Sequence, residues 1–113
     1  MRIESRVKEG VVILDLSGKI RIGDETQVLR TQINSLTQAG VQRILLNLKS
    51  ISDIDSSGIG ELASAHATVS RKGGQLKLEH LNHRLLKLLA MTKLLTVFDV
   101  FDNEEEAVAS YYA

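Results

Sequence analysis

The sequence has no cysteine, no proline and no tryptophan, and its aromatic residues are two tyrosines and two phenylalanines. Without cysteine the chain forms neither disulfides nor thiolate sites, which suits a reducing cytoplasm. With so few aromatics it lacks the stacking platforms that often hold single-stranded nucleic acid. Fourteen basic side chains balance fourteen acidic ones, so no net charge attracts nucleic acid or an anionic membrane. We therefore expect a cytoplasmic protein that does not bind nucleic acid.

Long hydrophobic runs are also missing. The longest apolar segment, residues 85–95, is interrupted by Lys87 and Lys93, and it is shorter than the ~20 residues that a membrane-spanning helix requires. The first residues lack the apolar stretch of a signal peptide. A chain of 113 residues is long enough for one core and too short for two domains with a cleft between them. We expect a single domain over residues 1–113 without membrane insertion, and the sequence carries no signal for an oligomeric state.

Apolar periodicity predicts an α/β fold. Residues 3–7 and 11–17 predict an antiparallel hairpin, and the aliphatic run at 43–48 predicts a strand buried on both faces. Residues 75–79 alternate polar and apolar, as expected of a half-exposed strand, and residues 97–101 predict a last strand. Helical spacing predicts helices that are capped by Asp24, start near Ser56, run from His83 to Lys93, and are capped by Asp102 or Asn103. The expected architecture is one mixed β-sheet of about four to five strands with about four α-helices packed against it.

The most informative segment is residues 51–60, Ile-Ser-Asp-Ile-Asp-Ser-Ser-Gly-Ile-Gly, at a predicted strand-to-helix junction. Ser56 and Ser57 are expected near a helix N-terminus, whose free N–H groups and dipole favour negative charge. The outward positions predicted for that helix are mostly small and carry few charges, which permits close approach by another protein. They are Gly60, Glu61, Ser64, Ala65, Thr68 and Arg71.

Catalytic templates fit this segment poorly. Neither serine has the flanking glycines of a nucleophile elbow, and the three histidines show no triad pattern or metal-ligand spacing. Gly58, Gly60 and Ala63 satisfy the Gly-x-Gly-x-x-Ala dinucleotide pattern, with Glu79 as the ribose-binding acid. However, Asp55 would repel a pyrophosphate, and the chain is too short for a second mononucleotide half. We expect no enzyme activity, no cofactor and no metal, with a dinucleotide-binding protein as the less favoured alternative.

Residues 54–60, Ile-Asp-Ser-Ser-Gly-Ile-Gly, resemble the Asp-Ser-Ser-Gly-Leu-Gly signature of bacterial anti-sigma factor antagonists. These proteins belong to the STAS domains, named for sulfate transporters and anti-sigma factor antagonists. The similarity covers nearly the whole chain at matching spacing, and it implies a single STAS-type domain. Other parts of the sequence that resemble this family are residues 14–18, residues 43–48, residues 73–76, Phe98 and residues 105–107.

The resemblance implies a phosphorylation switch at Ser56. In that family an anti-sigma factor, often also a serine kinase of the histidine-kinase-like ATPase type, binds the unphosphorylated antagonist and releases its sigma factor. Phosphorylation ends the antagonism, and a PP2C-type phosphatase restores it. By this resemblance Asp55 positions the hydroxyl and Ser57 and Gly58 shape the helix entry. The partner surface then extends over Ile59, Gly60, Glu61 and Ser64.

One departure from the family concerns the turn after the second predicted strand. Many antagonists carry an acid directly after a Gly-x-Leu here, whereas this chain reads Gly18-Lys19-Ile20-Arg21, with Asp24 as the first acid beyond. Part of the partner surface is therefore expected to differ. Similar domains also serve stressosomes and lipid-transport ATPase complexes, so a constitutive docking subunit without a phosphate cycle is the alternative function.

Overall fold

A computed structural model describes residues 1–21 and 23–113, and for residues 24–26 it describes only the backbone. Five strands form a single sheet in this part of the chain, in the order β1-β2-β3-β4-β5. The β1–β2 pair is antiparallel and the other three pairs are parallel. The predicted α/β fold with a mixed sheet is thus confirmed. The strands are β1 (Arg2–Lys8), β2 (Val11–Ile20), β3 (Arg43–Ile54), β4 (Gln75–Glu79) and β5 (Val100–Phe101).

Four α-helices connect or follow the strands, as predicted. Asn103 caps the last one through its side-chain oxygen, which accepts from the N–H of Glu106 at 3.0 Å. Asp24 was predicted to cap the first helix, but that helix begins at Asp24 and Gly23 holds the N-cap position with φ 108°. Among the described residues no helix combines the length and apolarity needed to cross a membrane. The helices are α1 (Asp24–Gln38), α2 (Ser56–Arg71), α3 (His83–Met91) and α4 (Glu104–Ser110), and a 3₁₀ turn covers Leu94–Thr96.

The central strands are buried on both faces because helices cover both sides of the sheet. Leu14 of β2 and Leu46 of β3 pack in a cluster with α1, α2 and α3. Their neighbours Ile13 and Leu45 point the other way, into a cluster with Val108 of α4. Successive strand residues alternate between faces, so the aliphatic run in β3 serves two cores, as predicted.

Two strand predictions need correction. β4 is not half-exposed, because α4 covers its polar face: Lys77 and Glu79 are both buried, and Lys77 Nζ donates to Ser110 Oγ at 2.8 Å. The last strand is shorter than predicted, since only Val100–Phe101 pair with β4. Phe98 is instead a core side chain that precedes the strand.

β3 is longer than predicted, and this extension positions the junction. Beyond the predicted residues 43–48 the strand continues to Ile54. In this extension it pairs with the end of β2, from Ser17 opposite Ser50 to Ile20 opposite Ile54. β4 has already ended at Glu79, opposite Asn47, so the β3 extension carries the start of α2 well beyond the end of β4.

Candidate functional site at the β3–α2 junction

Asp55 is the single residue between β3 and α2, and its side chain caps the helix. Its backbone is extended, with φ −104° and ψ −177°, and Oδ1 accepts a hydrogen bond from the N–H of Gly58 at 2.9 Å. This is the usual geometry of an N-cap, in which a carboxylate satisfies an N–H of the first turn. Ser56, the first helical residue, is therefore held in a well-defined turn.

The first turn of α2 rests on the end of β2. The N–H of Asp55 donates to the carbonyl oxygen of Ile20 at 3.2 Å. Gly58 is buried against the same oxygen: a Cβ added there would collide with it and lie 2.5 Å from Cγ1 of Ile54. Because a backbone carbonyl has little room to move, only glycine fits at this position without a shift.

The residues predicted to shape or form the site divide between two sides of α2. Gly58 and Ile59 face the core, and Ser57 is half-buried. Ser56, Gly60 and Ser64 are exposed, and their four-residue spacing puts them along one side of the helix. A Cβ added at Gly60 would meet nothing within 4 Å. The protein's own packing therefore does not require a glycine at this exposed position.

Glu61 and Ala65 do not face outward, contrary to the sequence prediction. Glu61 is 5% exposed and Ala65 is 4% exposed, because α1 packs beside α2. Arg30 of α1 donates from Nε to Glu61 Oε1 at 3.1 Å and from Nη2 to Oε2 at 2.7 Å. Sequence reasoning missed Arg30, since helical periodicity does not show which residues of two helices meet.

Two arginines meet at Asp53, two residues before the helix cap. Arg21, just after β2, donates from Nε to Asp53 Oδ2 at 3.0 Å, and its Nη2 contacts the same oxygen. Arg84, in the first turn of α3, lies 3.0 Å from Oδ1 through its Nη2. The hydrogen bonds from Arg21 hold the pKa of Asp53 below its ordinary value. Asp53 and Arg84 were not identified from the sequence, and the only signal for Arg21 was its place where many antagonists carry an acid.

The burial of Glu79 argues against the dinucleotide-binding alternative. The acid that would bind a ribose is fully buried on β4, where no ribose reaches it. The hollow between α1 and α2 beside Ser64 encloses about 10 Å³, which is at the lower limit of the ~10–15 Å³ that a single water molecule needs. That hollow has no room for a nucleotide.

Among the side chains that the structure describes, no group of three or more His, Asp or Glu is arranged to hold a metal ion. The half-buried ring of His66 makes an edge contact with Phe98, with centroids 5.3 Å apart. This contact places His66 at the edge of the core. The junction therefore offers an exposed hydroxyl on a capped helix N-terminus, beside a cluster of charged side chains.

Comparison with known proteins identifies relatives of the whole chain. The sequence profile of the STAS domain matches residues 2–107. The anti-sigma F factor antagonist of Paenibacillus polymyxa is 28% identical over 96% of this chain and 92% of its own.

Solved structures show the same fold. The crystal structure of a putative anti-sigma factor antagonist from Thermotoga maritima superposes with a TM-score of 0.90, at 22% identity over 98% of this chain and 95% of its own. The Bacillus cell fate determinant SpoIIAA in its phosphorylated form superposes with a TM-score of 0.74, at 22% identity over 96% of this chain and 98% of its own.

Proposed function

Since the chain belongs to the STAS domain family, we propose that it is an anti-sigma factor antagonist switched by phosphorylation of Ser56. The observation that carries the proposal is the exposed Ser56 in a family-type motif at the capped N-terminus of α2. The relative from Paenibacillus polymyxa is named an antagonist of this type, and SpoIIAA has been solved in a phosphorylated form.

In the unphosphorylated state, the side of α2 that carries Ser56, Gly60 and Ser64 docks on the anti-sigma factor and frees a sigma factor for transcription. These three residues are exposed, and none has a bulky side chain. A partner backbone can therefore approach α2 closely and bury its surface. Glu61, held inward by Arg30, supports this face from below and does not contact the partner.

Phosphorylation removes the partner by changing charge. The kinase domain of the anti-sigma factor, of the histidine-kinase-like ATPase type, transfers a phosphoryl group from ATP to Ser56 Oγ and leaves ADP. The phosphate adds a charge of about −1.5 to −2 at pH 7 in the middle of the docking face. The α2 N-terminus tolerates the dianion because its free N–H groups and dipole favour negative charge, so the fold survives.

A PP2C-type phosphatase restores the docking face by hydrolysing the phosphoserine. ATP and all catalytic groups belong to these partner enzymes, so the chain itself acts as a non-enzymatic regulator. Because the kinase draws on cellular ATP, the proposed switch operates in the cytoplasm.

The direct test is intact-mass spectrometry after incubation with ATP and an anti-sigma kinase shown to bind the protein. The parent and the Ser57→Ala variant should gain one phosphoryl group, and Ser56→Ala should gain none. An unmodified parent, or modification that persists in Ser56→Ala, would overturn the assignment of Ser56.

Binding measurements test the switch itself. Ser56→Ala should bind the anti-sigma factor as tightly as the unphosphorylated parent and stay bound in the presence of ATP. Ser56→Asp introduces one negative charge and should weaken binding on the order of tenfold, about 1.4 kcal/mol. Equal binding of Ser56→Asp, together with parent binding that ATP does not change, would indicate a constitutive docking subunit.

A further inference from the structure

The charged cluster of Arg21, Asp53 and Arg84 lies at the end of β3, next to the junction that carries the proposed phosphorylation site. Arg21 follows Ile20, whose carbonyl oxygen accepts the N–H of Asp55, so the Arg21 backbone adjoins the first turn of α2. Arg84 reaches the same place from the first turn of α3. Asp53 lies three residues before Ser56 and contacts both guanidinium groups.

Building on the function proposed above, we propose that Arg21 and Arg84 form a phosphoserine-binding pair. When Ser56 carries phosphate, their guanidinium groups move from Asp53 to the phosphate oxygens and hold them at the N-terminus of α2. In the phosphorylated protein the two arginines position the phosphate. In the unphosphorylated protein they form ion pairs with Asp53 instead.

The ion pairs on Asp53 are of a kind that exchanges readily. The side chains of Arg21 and Arg84 are 47% and 68% exposed, whereas that of Asp53 is 15% exposed. Water reaches both guanidinium groups and screens their attraction to the carboxylate. A phosphate dianion carries more charge than a carboxylate and fits the planar guanidinium fork through two parallel N–H···O bonds. Exchange of the acceptor therefore favours the phosphate once it is present.

Asp53 keeps a partner after the exchange. Its Oδ1 also accepts the N–H of Ile54 at 2.9 Å, which continues to hold the carboxylate in place. Loss of the two cations leaves Asp53 as an additional negative charge next to the phosphate. The exchange thus changes the charge pattern over a wider part of the partner surface than Ser56 alone.

The experiment encodes phosphoserine at position 56 genetically, so that no kinase is needed, and titrates the phosphate by ³¹P NMR. The parent should show a second phosphate pKa below its ordinary value of about 6. In the Arg21→Gln/Arg84→Gln double variant this pKa should rise by roughly half a unit to one unit, because two nearby cations favour the dianion. Arg71→Gln, which removes an exposed cation from the opposite end of α2, is the matched control and should leave the pKa unchanged.

A second readout follows the arginines themselves. The Nε–H resonances of Arg21 and Arg84 should move when phosphoserine replaces Ser56, while that of Arg71 should stay in place. A phosphate pKa that is the same in the parent and the double variant overturns the proposal, as do unmoved Arg21 and Arg84 resonances. If the double variant unfolds, the Arg84→Gln single variant decides by the same criteria.

The two proposals fail separately. Failure of a bound kinase to modify Ser56 refutes the proposed function without affecting the titration of encoded phosphoserine. Conversely, an unchanged phosphate pKa refutes the arginine pair and leaves a phosphorylation switch at Ser56 intact.

Discussion

Arg30 of α1 makes two hydrogen bonds to the carboxylate of Glu61 on α2, a side chain that is 5% exposed. The contact joins the two helices directly beneath the proposed docking face. A buried carboxylate needs such a partner, because burial without one disfavours its charged form.

The first prediction concerns this contact. Arg30→Ala should lower the urea midpoint of unfolding, because it leaves Glu61 buried without its cation. Adding Glu61→Gln to Arg30→Ala should recover part of the loss, since a neutral amide costs less to bury than a carboxylate. Arg71→Ala, on the exposed end of α2, is the control and should have little effect. Additive losses in the double variant would contradict the interpretation.

The two glycines of the junction should respond oppositely to alanine. Gly58→Ala should destabilise the protein by about 1–3 kcal/mol, because the new methyl group collides with the Ile20 carbonyl oxygen and the Ile54 side chain. Gly60→Ala should stabilise it by up to about 1 kcal/mol, since the space is open and alanine has the higher helix propensity.

Urea denaturation of the two glycine variants provides the measurement. A midpoint for Gly58→Ala equal to that of the parent would mean that the first turn of α2 is not packed against β2 as described.

The third prediction tests the helix cap. Asp55→Ala should lower the free energy of unfolding by about 1 kcal/mol, because the Gly58 N–H loses its side-chain acceptor. Asp55→Asn should lose only a few tenths of that amount, as asparagine also caps helices well. The N-cap of α4 offers an internal comparison, since Asn103→Ala removes the same kind of hydrogen bond. Equal losses for Asp55→Ala and Asp55→Asn would show that charge, and not capping, is what Asp55 supplies.

The fourth prediction concerns pH and the buried Glu79. Neither of its carboxylate oxygens has a hydrogen-bond donor among the described residues, and its carboxyl group faces that of Glu104. Burial, followed by the nearby Glu104, raises the pKa of Glu79 from 4.5 to about 8. Glu79 therefore keeps its proton at neutral pH. The other titratable groups around this carboxyl are Arg6 of β1, Asp15 of β2 and the adjacent His80.

The sign of the effect follows from proton binding. Between pH 4.5 and about 8 the folded protein holds a proton that the unfolded chain has released, so the free energy of unfolding falls as the pH rises through this range. Glu79→Gln cannot ionise, so its free energy of unfolding should fall much less over this range. Glu105→Gln, which changes an exposed glutamate, is the control and should keep the pH profile of the parent. Parallel pH profiles for the parent and Glu79→Gln, measured by urea unfolding from pH 5 to 9, would refute the assignment.

Features that depend on neighbouring residues in the chain were predictable. Alternation and aliphatic runs identified the strands, and the Asp-Ser-Ser-Gly pattern located the start of α2 correctly. Local chemistry also narrowed the cap of α4 to Asp102 or Asn103, since a cap bonds to an N–H three residues away, and the structure shows that Asn103 is the cap.

Features that depend on contacts with distant segments of the chain were not predictable from the sequence. Lys77 and Glu79 alternate with leucines as in a half-exposed strand, yet both are buried because α4 returns to cover their face of the sheet. Likewise, the helical pattern of α2 predicts that Glu61 faces solvent, but Glu61 is buried because α1 packs beside α2.

The chain alone thus determined an α/β domain with serine hydroxyls at the N-terminus of α2, because hydrophobic periodicity and helix capping act over a few residues. Packing of the helices and the sheet decided which charged side chains contact each other. Arg30 pairs with Glu61, which lies 31 residues further along the sequence, and Arg21 pairs with Asp53, which lies 32 residues further along. A charged side chain carries no local mark of its distant partner, so these pairs exist only once the helices and the sheet have come together.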